Sequence, residues 1–427
     1  MVGMYNILQV LPSLNLGGVE RGTLQIAAFL AARGDGAFVA SNGGRLVAEL
    51  EQSGATHLTL PLKGKNPVII YNNISALEKI IKQYSIDIVH ARSRAPAWSA
   101  YFAAKRANVP FITTYHGAYG QGASLKTSFL GRLAASAGCS ESARTEEYAC
   151  VSAQPPFSPL IPIKGFLEVP QGNALKRWYN SIMTRGAVVI APSHFIKQYI
   201  LQHHPHVNPD KIHVIYRGAD VTQFDPATVS PEDISALKAS WNIAEGQKIL
   251  LFPARISRWK GHKEAITALK NVSNSVLVFL GETTGQESYQ QELLDYAKSL
   301  HCAENIRFVG RCDVMPAAYS AADVVLCPSL KPEAFGRTVT EAQAMGAVVI
   351  ATNHGGAAET IEDGVTGFHI PLENMENALA AKIQEILAMS PEQLVTLKNT
   401  AIERVRAQFS LAQMTAQTGL LYDSFQR

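Results

Sequence analysis

Lys248-Ile-Leu-Leu-Phe-Pro253-Ala-Arg255-Ile-Ser-Arg258-Trp-Lys260-Gly261-His262, running on into Lys263-Glu-Ala-Ile-Thr-Ala-Leu-Lys270, is the stretch from which the fold is read. An apolar run from Lys248 to Pro253 gives way to a polar loop containing a glycine, then to an amphipathic stretch from Lys263 to Lys270. A strand buried on both faces reads as a continuous apolar run, and strand, loop and helix in repetition make a parallel sheet covered by helices.

The unit recurs in two series. In the first, strands are expected at Tyr5 to Leu11, Ala37 to Ser41, Thr56 to Leu60, Ile86 to His90, Phe111 to Tyr115, Ala187 to Ala191 and Ile212 to Tyr216. Helices lie between them, such as Thr23 to Arg33, stopped by Gly34, and Ala97 to Ala107, which Pro96 can start from the first helical position. The second series continues from Lys248 to Pro253 through Val276 to Leu280, Ile306 to Val309, Asp323 to Cys327 and Val348 to Thr352, with helices at Tyr289 to His301 and Thr338 to Met345.

A polar connection from Asp220 to Gly246, with a short helix from Pro231 to Asn242, separates the series and places the boundary near residue 225. The expectation is an α/β protein of two Rossmann-like lobes, 1–225 and 226–405, with 406–427 a helix crossing back to the first lobe. Met389 to Arg427 reads as continuous helical sequence. From Ala118 to Ala174 no strand is evident; the segment reads as an insertion, helical around Thr127 to Ala137, serving either as an acceptor-side lid or as surface decoration.

A chain of 427 residues suits two or three domains, and 47% apolar with 17% charged residues describes a globular protein. Cys139, Cys150, Cys302, Cys312 and Cys327 are odd in number and lack C-x-x-C spacing, so neither a disulfide framework nor a zinc site is indicated, and a cytoplasmic setting is expected. The N-terminal residues carry no signal-peptide pattern, and no apolar run reaches the ~18 residues of a membrane span. Through Arg217 there are 21 Lys and Arg against 11 Asp and Glu, and beyond it 17 against 24. The basic N-terminal half suits an anionic membrane surface or acceptor, or is simply a solvated surface. No nucleic-acid partner is expected.

Open parallel sheets bind ligands beyond the carboxyl ends of their strands. After the first strand comes Gly17-Gly18 before a helix, a close-approach turn at an anion-attracting N-terminus, but no G-x-G-x-x-G. His90 and His116 end two other strands. Arg255 and Lys260, ahead of a helix, supply the fork and the point charge that a diphosphate needs. In Pro332-Glu333-Ala-Phe335-Gly336-Arg337-Thr338-Val-Thr-Glu341, Glu333 precedes a helix, Gly336 to Thr338 can form its first turn with free N–H groups, and Glu341 lies inside it. That layout sets one acid near a sugar, amides near phosphates and the second acid near ribose hydroxyls.

In the chain's order, Gly17-Gly18-Val19-Glu20, Tyr115-His116-Gly117, Arg217-Gly218-Ala219-Asp220, Arg255 with Lys260-Gly261, Val309-Gly310, Ala322-Asp323 with Pro328-Ser329, Glu333 to Glu341, and Gly355-Gly356 with Glu359 strongly resemble glycosyltransferase family 4, whose members retain anomeric configuration and have the GT-B fold. The resemblance covers nearly the whole chain apart from the insertion and the tail. It implies a nucleotide diphosphate sugar donor, no cofactor and no metal, with Arg255 and Lys260 neutralising the leaving diphosphate. Glu333 would bind the transferred sugar, Glu341 the ribose, His116 would sit by the reacting sugar, and Gly17, Gly18, Phe335, Gly336, Arg337 and Thr338 would line the donor site. The family pattern N-G-V-D has Arg217 in place of its Asn. Local similarity around Val89 to Trp98 and Lys176 to Asn180 is to bacterial members thought to build lipopolysaccharide core or other envelope glycans, which implies a lipid-linked or glycan acceptor and peripheral contact with the inner face of the cytoplasmic membrane through the basic lobe. A nucleotide-sugar epimerase or dehydrogenase, lacking its glycine fingerprint here, and a non-catalytic nucleotide-sugar-binding subunit are the other function classes.

Overall fold

The apolar runs become strands of two separate, wholly parallel sheets in the computed structural model, which describes residues 5–15, 17–64, 66–118 and 174–425. Both lobes belong to one contiguous unit, Met1–Ala118 with Trp178–Arg427. The expected helix at 127–137 and the rest of the insertion lie outside the described residues, apart from Ala118 and Ala174.

The first sheet holds β1 (Asn6–Val10), β2 (Gly36–Ser41), β3 (Thr56–Thr59), β4 (Ile88–Ala91), β5 (Phe111–Thr114), β6 (Val188–Ala191) and β7 (Ile212–Val214), in the order β3-β2-β1-β4-β5-β6-β7. The second holds β8 (Lys248–Pro253), β9 (Ser275–Leu280), β10 (Ile306–Gly310), β11 (Val324–Cys327), β12 (Val349–Thr352) and β13 (Phe368–Ile370), in the order β10-β9-β8-β11-β12-β13. Every residue of β9 is buried, as is every residue of β8 after Lys248. Helices therefore cover both faces, and each buried Leu, Ile or Phe contributes roughly 1.5–3 kcal/mol relative to an exposed one. In both sheets the strand order reverses at a switch point, between β1 and β4 in the first lobe and between β8 and β11 in the second.

Helices follow their capping chemistry. Asn66 accepts a hydrogen bond from Val68 N at 2.9 Å and opens the helix Pro67–Gln83; Ser193 accepts from Ile196 N and opens His194–His203. The helix expected to start at Pro96 begins earlier, at Arg94. Pro96 then stands third in the helix, where its missing N–H still has no intrahelical acceptor to lose. The helical tail is two helices, Pro391–Gln408 and Leu411–Asp423, parted at Phe409 and Ser410.

The break marks where the chain recrosses between the lobes. The outgoing segment 215–220 and the returning Phe409–Leu411 run side by side: Ala219 N donates to Phe409 O at 2.8 Å, and Leu411 N to Ala219 O at 2.7 Å. Gly218 allows this approach, since a Cβ there would stand 2.4 Å from Leu411 Cα. The last helix then packs on the first helix, Gly18–Arg33, with Arg33 Nη1 3.0 Å from Asp423 Oδ2 and Gly419 against the Phe29 ring.

Candidate active site

The loops that leave the two strands flanking the second switch point are pressed together. A Cβ on Gly261, after β8, would lie 2.0 Å from Pro328 O, just after β11. Across this contact Lys260 Nζ donates to Glu333 Oε1 at 2.8 Å, and both side chains are largely shielded from solvent. Ser329 Oγ donates to the same carboxylate oxygen at 2.5 Å, while Ser329 O is held by Thr352 Oγ1 at 2.9 Å and by the His354 ring at 2.7 Å. Glu333 is thereby fixed from three strands, and among the described residues its second oxygen and the remaining Lys260 protons have no hydrogen-bond partner, so they can serve a ligand. Arg255, in the loop after β8, is exposed and has no ion-pair partner among the described residues. Cys327 ends β11 nearby; burial pushes its thiol up to about 12, so it stays protonated and is no nucleophile.

Gly336 precedes the helix Arg337–Ala344 with φ 104°, a left-handed conformation disfavoured by any side chain, and a Cβ there would meet Ala357 at 2.9 Å. The first turn of that helix lies opposite Gly18, whose Cβ position is 3.9 Å from Arg337 Cδ. The starts of the helices Gly18–Arg33 and Arg337–Ala344 are thus brought near each other across the lobes, each carrying the partial positive charge of a helix N-terminus. Glu341, one turn in, pairs with Arg337 Nη2 at 2.9 Å. Burial raises its pKa, opposed by Arg337, by a hydrogen bond from Tyr319 and by the charge of Arg21.

On the N-terminal side, His116 follows β5 and contacts the Arg217 guanidinium through its Nδ1. Burial first, then the charges of Arg217, Arg92 and His90, hold it well below the ordinary imidazole range, so it is neutral at pH 7 and suited to hydrogen bonding a hydroxyl rather than carrying charge. His90, the other strand-end histidine, is fully buried between Tyr422 OH (2.6 Å) and Thr114 Oγ1 (2.7 Å), where it ties the C-terminal helix to the sheet. Arg92 is also buried, its Nε 2.9 Å from Gln9 Oε1.

The expected donor-site residues Gly17, Gly18, Lys260, Glu333, Gly336, Arg337, Thr338 and Glu341 therefore gather on the two switch-point loops and the two facing helix starts. Phe335 does not join them through its side chain: the ring is buried against Tyr216 and Phe409, at 5.9 Å from each. Sequence reading missed Arg92 and Tyr319 and gave Ser329 and the Gly355-Gly356 to Glu359 stretch no role. The strand-end position of Ser329 was the available signal.

Two family models divide the chain: "Glycosyltransferase Family 4" matches residues 16–154 and 157–223, and "Glycosyl transferases group 1" matches 233–404. A solved glycosyltransferase from Rickettsia africae is 33% identical, with a TM-score of 0.81 over 99% of this chain and 98% of that one. The chain belongs to glycosyltransferase family 4. The fold of this glycosyltransferase is GT-B, shared with Anabaena HepE, which was solved with UDP and glucose (TM-score 0.74, 21% identity, 98% of this chain and 100% of that one). Among curated relatives, the lipopolysaccharide 1,2-N-acetylglucosaminetransferase of Salmonella typhimurium is 31% identical over 230 residues, half of this chain and 58% of that protein. The D-inositol 3-phosphate glycosyltransferase of Corynebacterium glutamicum is 30% identical over 238 residues, 52% of this chain and 54% of that protein. The alignments thus span little more than half the length of these two relatives.

Proposed function

We propose that this chain moves a hexose, mannose or glucose-like, from a nucleotide diphosphate sugar to a lipopolysaccharide-core, lipid-linked or other envelope glycan acceptor, with retention of configuration. The observation that carries the reading is the Lys260–Glu333 pair at 2.8 Å, set where the loops after β8 and β11 meet at the switch point, ahead of the helix Arg337–Ala344. Lys260, Arg255 and the two helix starts supply the positive charge that a departing diphosphate needs, so no metal is required for that step. Glu333 accepts hydrogen bonds from the hydroxyls of the transferred sugar, Glu341 from the ribose, and neutral His116 binds at the reacting sugar. Cys327 is protonated and no side chain among the described residues is assigned as a covalent nucleophile, so in this reading attack comes on the face the diphosphate leaves, the departing phosphate taking the acceptor's proton. Paired carboxylates acting as in a glycosidase do not enter.

The UDP-bound Anabaena neighbour supports a uridine nucleotide as donor, and the Salmonella relative supports an envelope acceptor. Peripheral membrane contact has its own support. Val68, Tyr71, Phe102 and Trp178 are exposed on the first lobe, Trp178 stacking on Trp98 at 4.4 Å, and Lys105 and Arg106 follow Phe102 on the same helix face. Among the described residues no helix is long and apolar enough to cross a membrane.

A thermal-shift panel of nucleotide sugars identifies the donor, which is then used for turnover. Lys260→Ala and Glu333→Ala are each expected to lower turnover by at least about a hundredfold, the scale of losing one charge-stabilising group, with cooperative melting retained. Wild-type turnover in either variant defeats the site assignment. Excess chelator is expected to leave turnover unchanged, and loss of activity restored by a divalent ion removes the metal-free reading.

A further inference from the structure

Glu359 lies in the 3-10 turn Gly356–Thr360 of the second lobe, yet its carboxylate serves the first. Its two oxygens accept from His194 N at 2.9 Å and Phe195 N at 2.6 Å, the leading amides of the helix His194–His203. Those amides have no acceptor within their own helix, and a carboxylate there also meets the positive end of the helix dipole. Tyr216, on the outgoing crossing segment, hydrogen-bonds to the same carboxylate. Beside it, Ser193 Oγ donates across the lobes to Ala334 O at 2.6 Å, and Gly356 N donates to Glu333 O at 2.7 Å. The turn bearing Glu359 and the loop bearing Glu333 are therefore one hydrogen-bonded piece, seated on a helix of the opposite lobe. Phe335 completes the seam against Tyr216 and Phe409.

We propose that Glu359 is a positioning residue: by capping a helix of the other lobe it fixes the loop that carries Glu333 and sets the angle at which the lobes meet. This rests on the reading of Glu333 as a donor-site carboxylate. On that reading the diphosphate and ribose contacts lie mainly in the second lobe, at Arg255, Lys260, the helix start at Gly336–Thr338 and Glu341, with only the helix start at Gly18 coming from the first, so nucleotide binding depends less on Glu359 than catalysis does, which needs groups of both lobes in register. A displacement of about 1 Å in such a register costs on the order of a hundredfold in rate.

The test compares wild type, Glu359→Ala, Glu359→Gln and Lys260→Ala. Binding is read by calorimetry with UDP alone and GDP alone, and turnover as nucleoside diphosphate released from UDP-glucose, UDP-N-acetylglucosamine and GDP-mannose. Lobe arrangement is read by small-angle scattering. Glu359→Ala is expected to lose at least about tenfold in kcat, to hold UDP or GDP within about threefold of wild type, and to scatter as a more open molecule. Glu359→Gln keeps an acceptor for only one amide and falls between; it carries the test if the alanine variant does not melt cooperatively. Wild-type kcat with unchanged scattering overturns the proposal, as does an equal loss of nucleotide affinity and kcat, which marks damage to the second lobe itself. Wild-type turnover in Lys260→Ala undoes the donor-site reading instead, and the scattering of Glu359→Ala then decides the lobe contact by itself.

Discussion

At the residue scale, His262 shows how far a side chain's chemistry is set by its surroundings. It directly follows the Lys260-Gly261 turn, yet it is buried, with its ring centroid 4.4 Å from that of Phe252 and 5.1 Å from that of Phe279. Burial above all, aided by the Lys260 charge and opposed by the nearby Ser257 backbone, lowers its pKa from 6.5 to about 4. Between those values the unfolded chain binds a proton that the folded imidazole refuses, so stability falls as the pH drops through that window. Between pH 7 and pH 5 this one group accounts for about 2 kcal/mol of lost stability, and urea unfolding of His262→Leu should show a correspondingly smaller loss over the same interval. An unchanged pH slope rules the burial account out. The two strand-end histidines make the limit of sequence reading plain. His90 and His116 look alike in the chain, but the partner that makes His90 structural, Tyr422, is 332 residues away. Lys260 and Glu333 were each legible as loop residues following strands; that they meet depends on β8 lying beside β11.

At the scale of elements, the legible features were those with local causes. The continuous apolar runs predicted strands, and Gly34 marked the end of the first helix, where it takes the left-handed φ of 91°. The three-residue β13 was too short to stand out; the break at Phe409 carries one local signal, Ser410, which caps the last helix by accepting from Gln413 N at 3.3 Å, and the pairing of Ala219 with Ser410 fixes it in place. The C-terminal helix depends on the same distant logic. Tyr422 OH is the partner of His90 Nδ1 inside the first lobe, and Tyr422→Phe leaves a buried ring nitrogen unsatisfied. The expected cost is about 1–3 kcal/mol in chemical denaturation. His90→Leu combined with Tyr422→Phe removes both polar partners and should recover part of it, whereas full additivity of the two single losses means that the pair does not interact.

At the scale of the whole molecule, the two lobes joined by a pair of crossing segments differ in charge. The half through Arg217 holds 21 basic against 11 acidic residues, and the half that carries the Lys260 and Glu333 loops holds 17 against 24. Composition shows the imbalance but not where it is presented; the fold places Phe102, Lys105 and Arg106 on one exposed helix face, with the Arg185 guanidinium 5.3 Å over the neighbouring Trp98 ring. Aromatic rings flanked by cations suit the headgroup region of an anionic bilayer, where each cation near the surface is worth about 1 kcal/mol. Replacing Lys105 and Arg106 together by Glu removes two attractions and adds two repulsions. Co-sedimentation with phosphatidylglycerol-rich vesicles should therefore fall by more than about thirtyfold, which is 2 kcal/mol of lost attraction alone. Trp178→Ala should weaken the same binding without altering its dependence on salt, because it removes apolar contact and leaves the charge unchanged. Failure of the wild-type protein to bind these vesicles at low salt, or equal binding to purely zwitterionic ones, refutes the membrane reading and leaves the basic lobe to an anionic acceptor.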